Sequence, residues 1–173
     1  MAMMLKPQDV FVLLKLISLN SREWSYSTLA RELYMSPSEV HSGLRRASMA
    51  KLYDTQRRKP IRKALEEFIV HGVRYAYPPE LGGLTRGIPT SYAAPPLKGI
   101  IAQPQEEPPV WPYAEGQVLG FSFSPLFKSV PRAIAADAKL YELLALIDAI
   151  RGGRARERSC AVRELKIRLS PGW

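Results

Sequence analysis

The chain is poor in the residues that most chemistry needs. Among 173 residues there is one cysteine, Cys160, and there are two histidines, His41 and His71. A single thiol excludes a disulfide framework and any thiolate-based zinc site built within one chain. Neither histidine has a Ser, Cys or carboxylate partner at a catalytic spacing, and His71 simply ends an amphipathic stretch. A phosphate-cradling glycine loop is also lacking, because LGGLTRG at 81–87 has no Lys-Ser/Thr step. No run approaches the roughly 20 apolar residues that span a bilayer. The opening MAMMLKPQDVFVLLKLISLN is a poor secretory signal, interrupted by Asp9 and Lys15 and followed by no small-residue cleavage site. These absences predict a non-enzyme without cofactor, metal ion or membrane partner, in the cytoplasm.

Acidic residues are short too, 16 against 25 Lys and Arg, for a formal charge of +9. Such an excess favours an anionic partner, and nucleic acid is the commonest. Its placement is uneven. Residues 45–63 carry a net +7 and residues 151–168 a net +5, so the rest of the chain is slightly acidic. The second island reads equally as a solvated face or as a binding surface. With 46% hydrophobic residues the chain can nevertheless bury a core, which excludes global disorder.

Proline is nearly missing from residues 8–77, where only Pro37 and Pro60 occur, whereas eleven of the fifteen lie between Pro78 and Pro131. The middle of the chain therefore cannot hold long helices, while both ends can. Pro7 opens a first helix, with Val10, Phe11, Leu13, Leu14 and Ile17 inward. Trp24-Ser25-Tyr26 reads as a short extended pair, and a second helix runs over about Thr28–Tyr34. In Ser36-Pro37-Ser38-Glu39, Ser36 caps, Pro37 takes the first helical position and Glu39 reaches back to the Ser36 amide. A third helix then runs from Pro37 to about Leu52. Ile61–His71 forms a fourth, stopped by Gly72. Val73–Tyr77 and Ile88–Ala93 alternate like the strands of a hairpin, with turn chemistry in PPELGGLTRG and Arg86 near the tip. Residues 94–116 read as an irregular proline-stiffened connector, and Val118–Phe123 as a strand or an apolar anchor. Near the C-terminus, an apolar helix centred on Leu140–Ile150 and a second over about 154–169 meet at Gly152-Gly153 as an antiparallel pair.

The stretch Thr28–Leu44 (TLARELYMSPSEVHSGL) resembles the helix-turn-helix of bacterial transcription regulators. Two helices crossing steeply need a small residue at their contact (Ala30) and an apolar residue in the turn (Met35). They also need a β-branched plug (Val40), and Gly43 and Leu44 one turn on. Tyr34 departs from the pattern, standing where that family usually has glycine. With a helix on either side and a hairpin after them, residues 8–92 look like a winged helix-turn-helix domain. The expected architecture is mainly α with a small β wing: a DNA-binding unit over 1–93, a connector over 94–130, and a C-terminal helical hairpin over 131–173 for dimerisation or partner binding.

The resemblance implies that helix 37–52 reads double-stranded DNA, with Ser36, Ser38, His41, Ser42 and Arg45 toward the major groove. Arg45 is the candidate for guanine, because its fork bridges two acceptors on one base edge. Arg46, Lys51, Arg57, Arg58, Lys59, Arg62 and Lys63 are then phosphate contacts, and Arg86 a minor-groove contact from the wing. The function so implied is that of a sequence-specific, nucleoid-associated transcriptional regulator, acting as a homodimer. The rival reading is an antitoxin-like or adaptor protein that holds a protein partner through 131–173, with DNA binding secondary. The aromatic residues Trp111, Tyr113, Phe121, Phe123 and Phe127 read as a satellite core or as the lining of a small-molecule pocket.

Overall fold

The computed structural model describes residues 3–173; Met1 and Ala2, the start of the expected 1–93 unit, lie outside the described residues. Pro7 opens α1 (Pro7–Leu19), and Asp9 accepts the Lys6 amide at 2.8 Å at its N-terminus. Its residues 9–17 are all buried. A helix this apolar all round must be covered on several sides, and α1 is covered by α3 (Pro37–Met49) and by α7 (Ala138–Gly152).

Trp24-Ser25-Tyr26 is not an extended pair. Ser25 caps α2 (Tyr26–Leu33) through reciprocal bonds with Thr28, at 2.9 Å from its amide and 3.2 Å to its hydroxyl, which starts the helix two residues early. Tyr34 ends it in the left-handed conformation (φ 55°), which lets the chain turn sharply from α2 toward α3. Its ring lies 4.1 Å beneath the Arg132 guanidinium, a cation–π contact that offsets part of the steric cost. Ser36 and Glu39 form the expected capping box at the start of α3, at 3.1 and 2.9 Å. α3 stops at Met49 rather than Leu52, because the chain reverses through Lys51 (φ 64°) into a tight hairpin.

That hairpin, β1 (Tyr53–Asp54) paired antiparallel with β2 (Lys59–Pro60), takes the place of the hairpin expected over 73–93. The Asp54 carboxylate shapes its turn by accepting the Gln56 and Arg57 amides at 3.0 Å. Residues 73–77 do not form a strand. Gly72 bends the path, and α4 (Arg62–His71) continues as α5 (Val73–Ala76). The four-residue spacing of Leu65, Ile69 and Val73, all fully buried, outweighs the short alternation that suggests a strand.

The turn-like stretch after Pro79 is instead β3 (Leu81–Pro89), and the connector contains β4 (Pro109–Pro112). With β5 (Val118–Phe123) they close a three-stranded barrel in which β3 runs antiparallel to both others and β4 runs parallel to β5. Residues 91–93 form a 3-10 turn, not a strand. Glycine here serves backbone approach rather than turning. A Cβ on Gly87 would strike the Trp111 carbonyl, and one on Gly120 the Pro108 carbonyl.

The end of the chain holds α6 (Val130–Ala133), α7 and α8 (Ala155–Leu169), the last two antiparallel as expected. The expected parts 1–93, 94–130 and 131–173 all contribute to a common core. One hydrophobic cluster runs from Val10 on α1 through Leu65, Ile69 and Trp111 to α7, where Leu143, Leu146 and Ile147 are fully buried. α7 therefore faces its own chain, and the hairpin offers no free apolar helix for a second copy or a partner. Trp111 and Phe123 are core, while Phe121 remains exposed.

Two ionic clusters fasten α7. Asp148 accepts Thr90 Oγ1 and Trp111 Nε1 at 2.7 Å and Arg151 at 2.8 Å. Asp137 caps α7 through the Leu140 amide at 2.9 Å and takes Lys15 Nζ at 2.7 Å and Ser18 Oγ at 2.8 Å. Burial pushes the Asp137 carboxyl up, but the Lys15 ammonium, the Leu140 amide and the Ser18 hydroxyl outweigh it and hold it below the usual aspartate value. Stability from this group is therefore complete above the unfolded pKa of about 3.9 and is lost as pH falls through the lower folded value. Asp137→Asn should cost about 1.5–3 kcal/mol at neutral pH. In urea titrations its deficit relative to the unsubstituted chain should shrink as pH falls below the unfolded pKa of about 3.9, and a pH-independent deficit would refute the charge role.

Candidate nucleic-acid interface

The five residues singled out at the α2–α3 contact all face inward. Ala30, Met35, Val40, Gly43 and Leu44 are all buried between α1, α2 and α3. This burial turns the opposite face of α3 outward. Ser36, Ser38, His41 and Arg45 are exposed and Ser42 is half-buried. Arg45 has no ion-pair partner among the described residues.

A chain of ring contacts joins three elements into one surface. The Arg58 guanidinium, on a turn residue with φ 55°, lies 4.2 Å over the Trp24 ring and donates to the Trp24 carbonyl at 3.3 Å. Trp24 meets Tyr26 edge-on at 5.6 Å, and Tyr26 meets His41 at 5.3 Å. The hairpin turn, the N-terminus of α2 and the outer face of α3 thus lie side by side. Ser48 Oγ and Thr55 Oγ1, 2.9 Å apart, tie the hairpin to α3 a second time. Sequence reasoning misses Trp24 and Tyr26 as part of this surface; their signal, an aromatic pair flanking a serine cap, is too common to stand out.

The cations expected to touch phosphate fall into two groups. Lys51, Arg57, Lys59 and Lys63 are exposed, with Arg57 only loosely held by Asp54 at 3.8 Å and Lys63 by Glu66 at 3.5 Å. Arg58 is exposed as well, though stacked. Arg46 and Arg86 need correction, and Arg62 stands apart from the exposed group. Arg46 is bound fork-to-fork by Asp9, Nε to Oδ2 at 2.7 Å and Nη2 to Oδ1 at 2.8 Å, and that hydrogen bonding pushes its guanidinium pKa further up. It fastens α3 to α1 and is spent there. Gly43 makes this pair feasible, since a Cβ in its place would sit 2.9 Å from the Asp9 carboxylate. Arg62 turns toward the end of α8, donating to the Arg168 and Ser170 carbonyls at 3.5 and 3.4 Å. Arg86 is exposed in the middle of β3, opposite Leu119 in the three-stranded barrel, and tips no wing.

The second basic island is largely satisfied within the chain. Arg151 pairs with Asp148, and Arg168 with Glu142 and Glu164. Arg154 reaches Glu106, and Arg158 donates to the Gly153 carbonyl at 2.7 Å. Only Arg156, Arg163 and Lys166 stay exposed without a carboxylate among the described residues.

No three His, Cys, Asp or Glu side chains gather around a common point among the described residues, and no helix there is long and apolar enough to cross a membrane. No family model matches the chain, and no similar protein was found among curated proteins or among solved structures.

Proposed function

We propose that this chain is a sequence-specific, DNA-binding transcriptional regulator that lays α3 in the major groove and sets the β1–β2 turn against the adjacent phosphates. The observation that carries this reading is the pairing of an outward α3 face, with Arg45 unengaged, and a cationic hairpin turn joined to it through Arg58, Trp24, Tyr26 and His41. In a winged helix-turn-helix arrangement a hairpin just after the recognition helix belongs beside it. Residues 53–60 supply that hairpin, with Arg57, Arg58 and Lys59 in its second half. The serines at 36, 38 and 42 then stand near the groove edge, with Ser36 committed to capping.

One unit of this size reads a short half-site, so an inverted repeat bound by two copies is the operator form this reading expects. The covered α7 takes no part in pairing them.

Selection of duplexes from a random pool tests the proposal in one step. An enriched motif supports it, and a pool that stays random overturns base reading. On the selected site, Arg45→Ala should lower affinity by about 1–3 kcal/mol and relax one base position. Equal losses on selected and random duplexes would show that Arg45 touches only the backbone. Lys59→Ala should instead weaken both alike and reduce the slope of log affinity against log salt by about 1.

A further inference from the structure

A cleft of about 580 Å³ opens where the end of α1 and the loop after it meet the β1–β2 turn and the chain end at Pro171-Gly172. This volume suits a small ligand. Its wall carries Arg57, Arg58, Lys59 and Arg62, together with Trp24 and one acid free of an ion pair, Glu23. Arg22 also lines it but is held by Glu32 at 2.6 Å.

Arg62 distinguishes this cleft from an ordinary cationic surface. The buried cations Lys15, Arg151 and Arg168, and the half-buried Arg46, each hold a carboxylate within 2.8 Å. Arg62 is half-buried, holds none among the described residues, and has only two long bonds to carbonyl oxygens. Burial lowers its pKa accordingly. Three further cations stand beside it, so the field in the cleft favours a compact multiply charged anion over a monoanion. Guanidinium forks match phosphate oxygens in pairs, and the low-dielectric wall of Trp24 strengthens the attraction.

We propose that this cleft binds a small polyphosphate ligand on Arg57, Arg58, Lys59 and Arg62, and that its occupation antagonises DNA binding by the adjacent turn. The antagonism follows from shared groups. A guanidinium engaged by a polyphosphate in the cleft cannot also neutralise a backbone phosphate. Ligand binding is independent of the DNA reading proposed above, whereas the antagonism rests on it.

Calorimetry with inorganic diphosphate on the full chain, at fixed ionic strength and with sulfate as the control, tests binding. Saturable binding is expected, about tenfold tighter than sulfate. It should weaken about tenfold in an Arg57→Ser, Lys59→Ser double variant and stay unchanged in Arg45→Ala. No saturation at millimolar diphosphate, equal binding of sulfate, or indifference to the double variant overturns the site. Because both substituted side chains are exposed, the double variant keeps the fold, and its circular dichroism checks this. Saturating diphosphate should also weaken duplex binding about tenfold at constant ionic strength. Undiminished duplex binding overturns the antagonism. A double variant that loses duplex affinity while no variant binds diphosphate assigns these cations to the DNA backbone alone. A chain that binds diphosphate but no duplex overturns the DNA reading and leaves the ligand site standing.

Discussion

Asp148→Ala is expected to lower stability by about 3–5 kcal/mol, the range found when one partner of a buried ion pair is removed. Asp148 is 1% exposed and Arg151 8% exposed. Removing the carboxylate strands the guanidinium with only the Tyr77 and Ser124 carbonyls, at 2.9 and 3.1 Å. It also orphans the Thr90 hydroxyl and the Trp111 indole N–H, each of which donates to Asp148 alone. Thr90 directly follows β3 and Trp111 lies on β4, so one side chain on α7 holds the barrel to the helical core. A domain has only about 5–15 kcal/mol in total. Chemical denaturation should therefore show a midpoint shifted by a large fraction of its value. Asp148→Asn, which keeps one acceptor oxygen for Trp111 and Thr90 but loses the charge and sets its NH2 against Arg151, should lose less. A loss below about 1 kcal/mol in the alanine variant would mean that the cluster is solvated rather than sealed.

The second large effect separates two neighbours on α3. Arg46→Ala should cost about 3–5 kcal/mol, because Asp9 is fully buried and keeps only the Lys6 amide when its guanidinium is gone. Arg45→Ala should leave thermal stability within about 0.5 kcal/mol, as exposed substitutions do. Successive helical residues point about 100° apart. At position 45 that direction is solvent and, on the DNA reading, a base edge; at position 46 it is the flank of α1. A phosphate-contacting Arg46 would show the reverse pattern, with stability kept and salt dependence of DNA binding reduced. Thermal melts of the two variants side by side decide between these roles without any knowledge of the operator.

The contrast at 45 and 46 also marks how far local reading reaches. A run of arginines announces charge, but whether each charge is free depends on where carboxylates arrive from elsewhere in the chain. Asp9 is 37 residues from Arg46 and Glu142 is 26 from Arg168. Neither distance leaves a pattern in sequence. The apolar Leu140–Ile150 helix demands a cover, and three covers are compatible with its composition: the N-terminal helices, a second copy or a partner. Packing against α1 selects the chain itself, which removes the argument for a dimerisation hairpin.

What the residues settled alone was whatever depends on neighbours within about one helical turn. The Pro7 start, the Ser36–Glu39 capping box, the inward set Ala30, Met35, Val40, Gly43 and Leu44, and the Gly152-Gly153 reversal are of that kind, since capping and periodicity act over three or four positions. Tertiary structure decided the rest. It placed the hairpin at 53–60, drew LGGLTRG and PVWP into one barrel, and extended α4 through Gly72. The physical reason is common to all three. Strand pairing and helix continuation compete on nearly equal local terms, and the balance is tipped by burial against partners that lie tens of residues away.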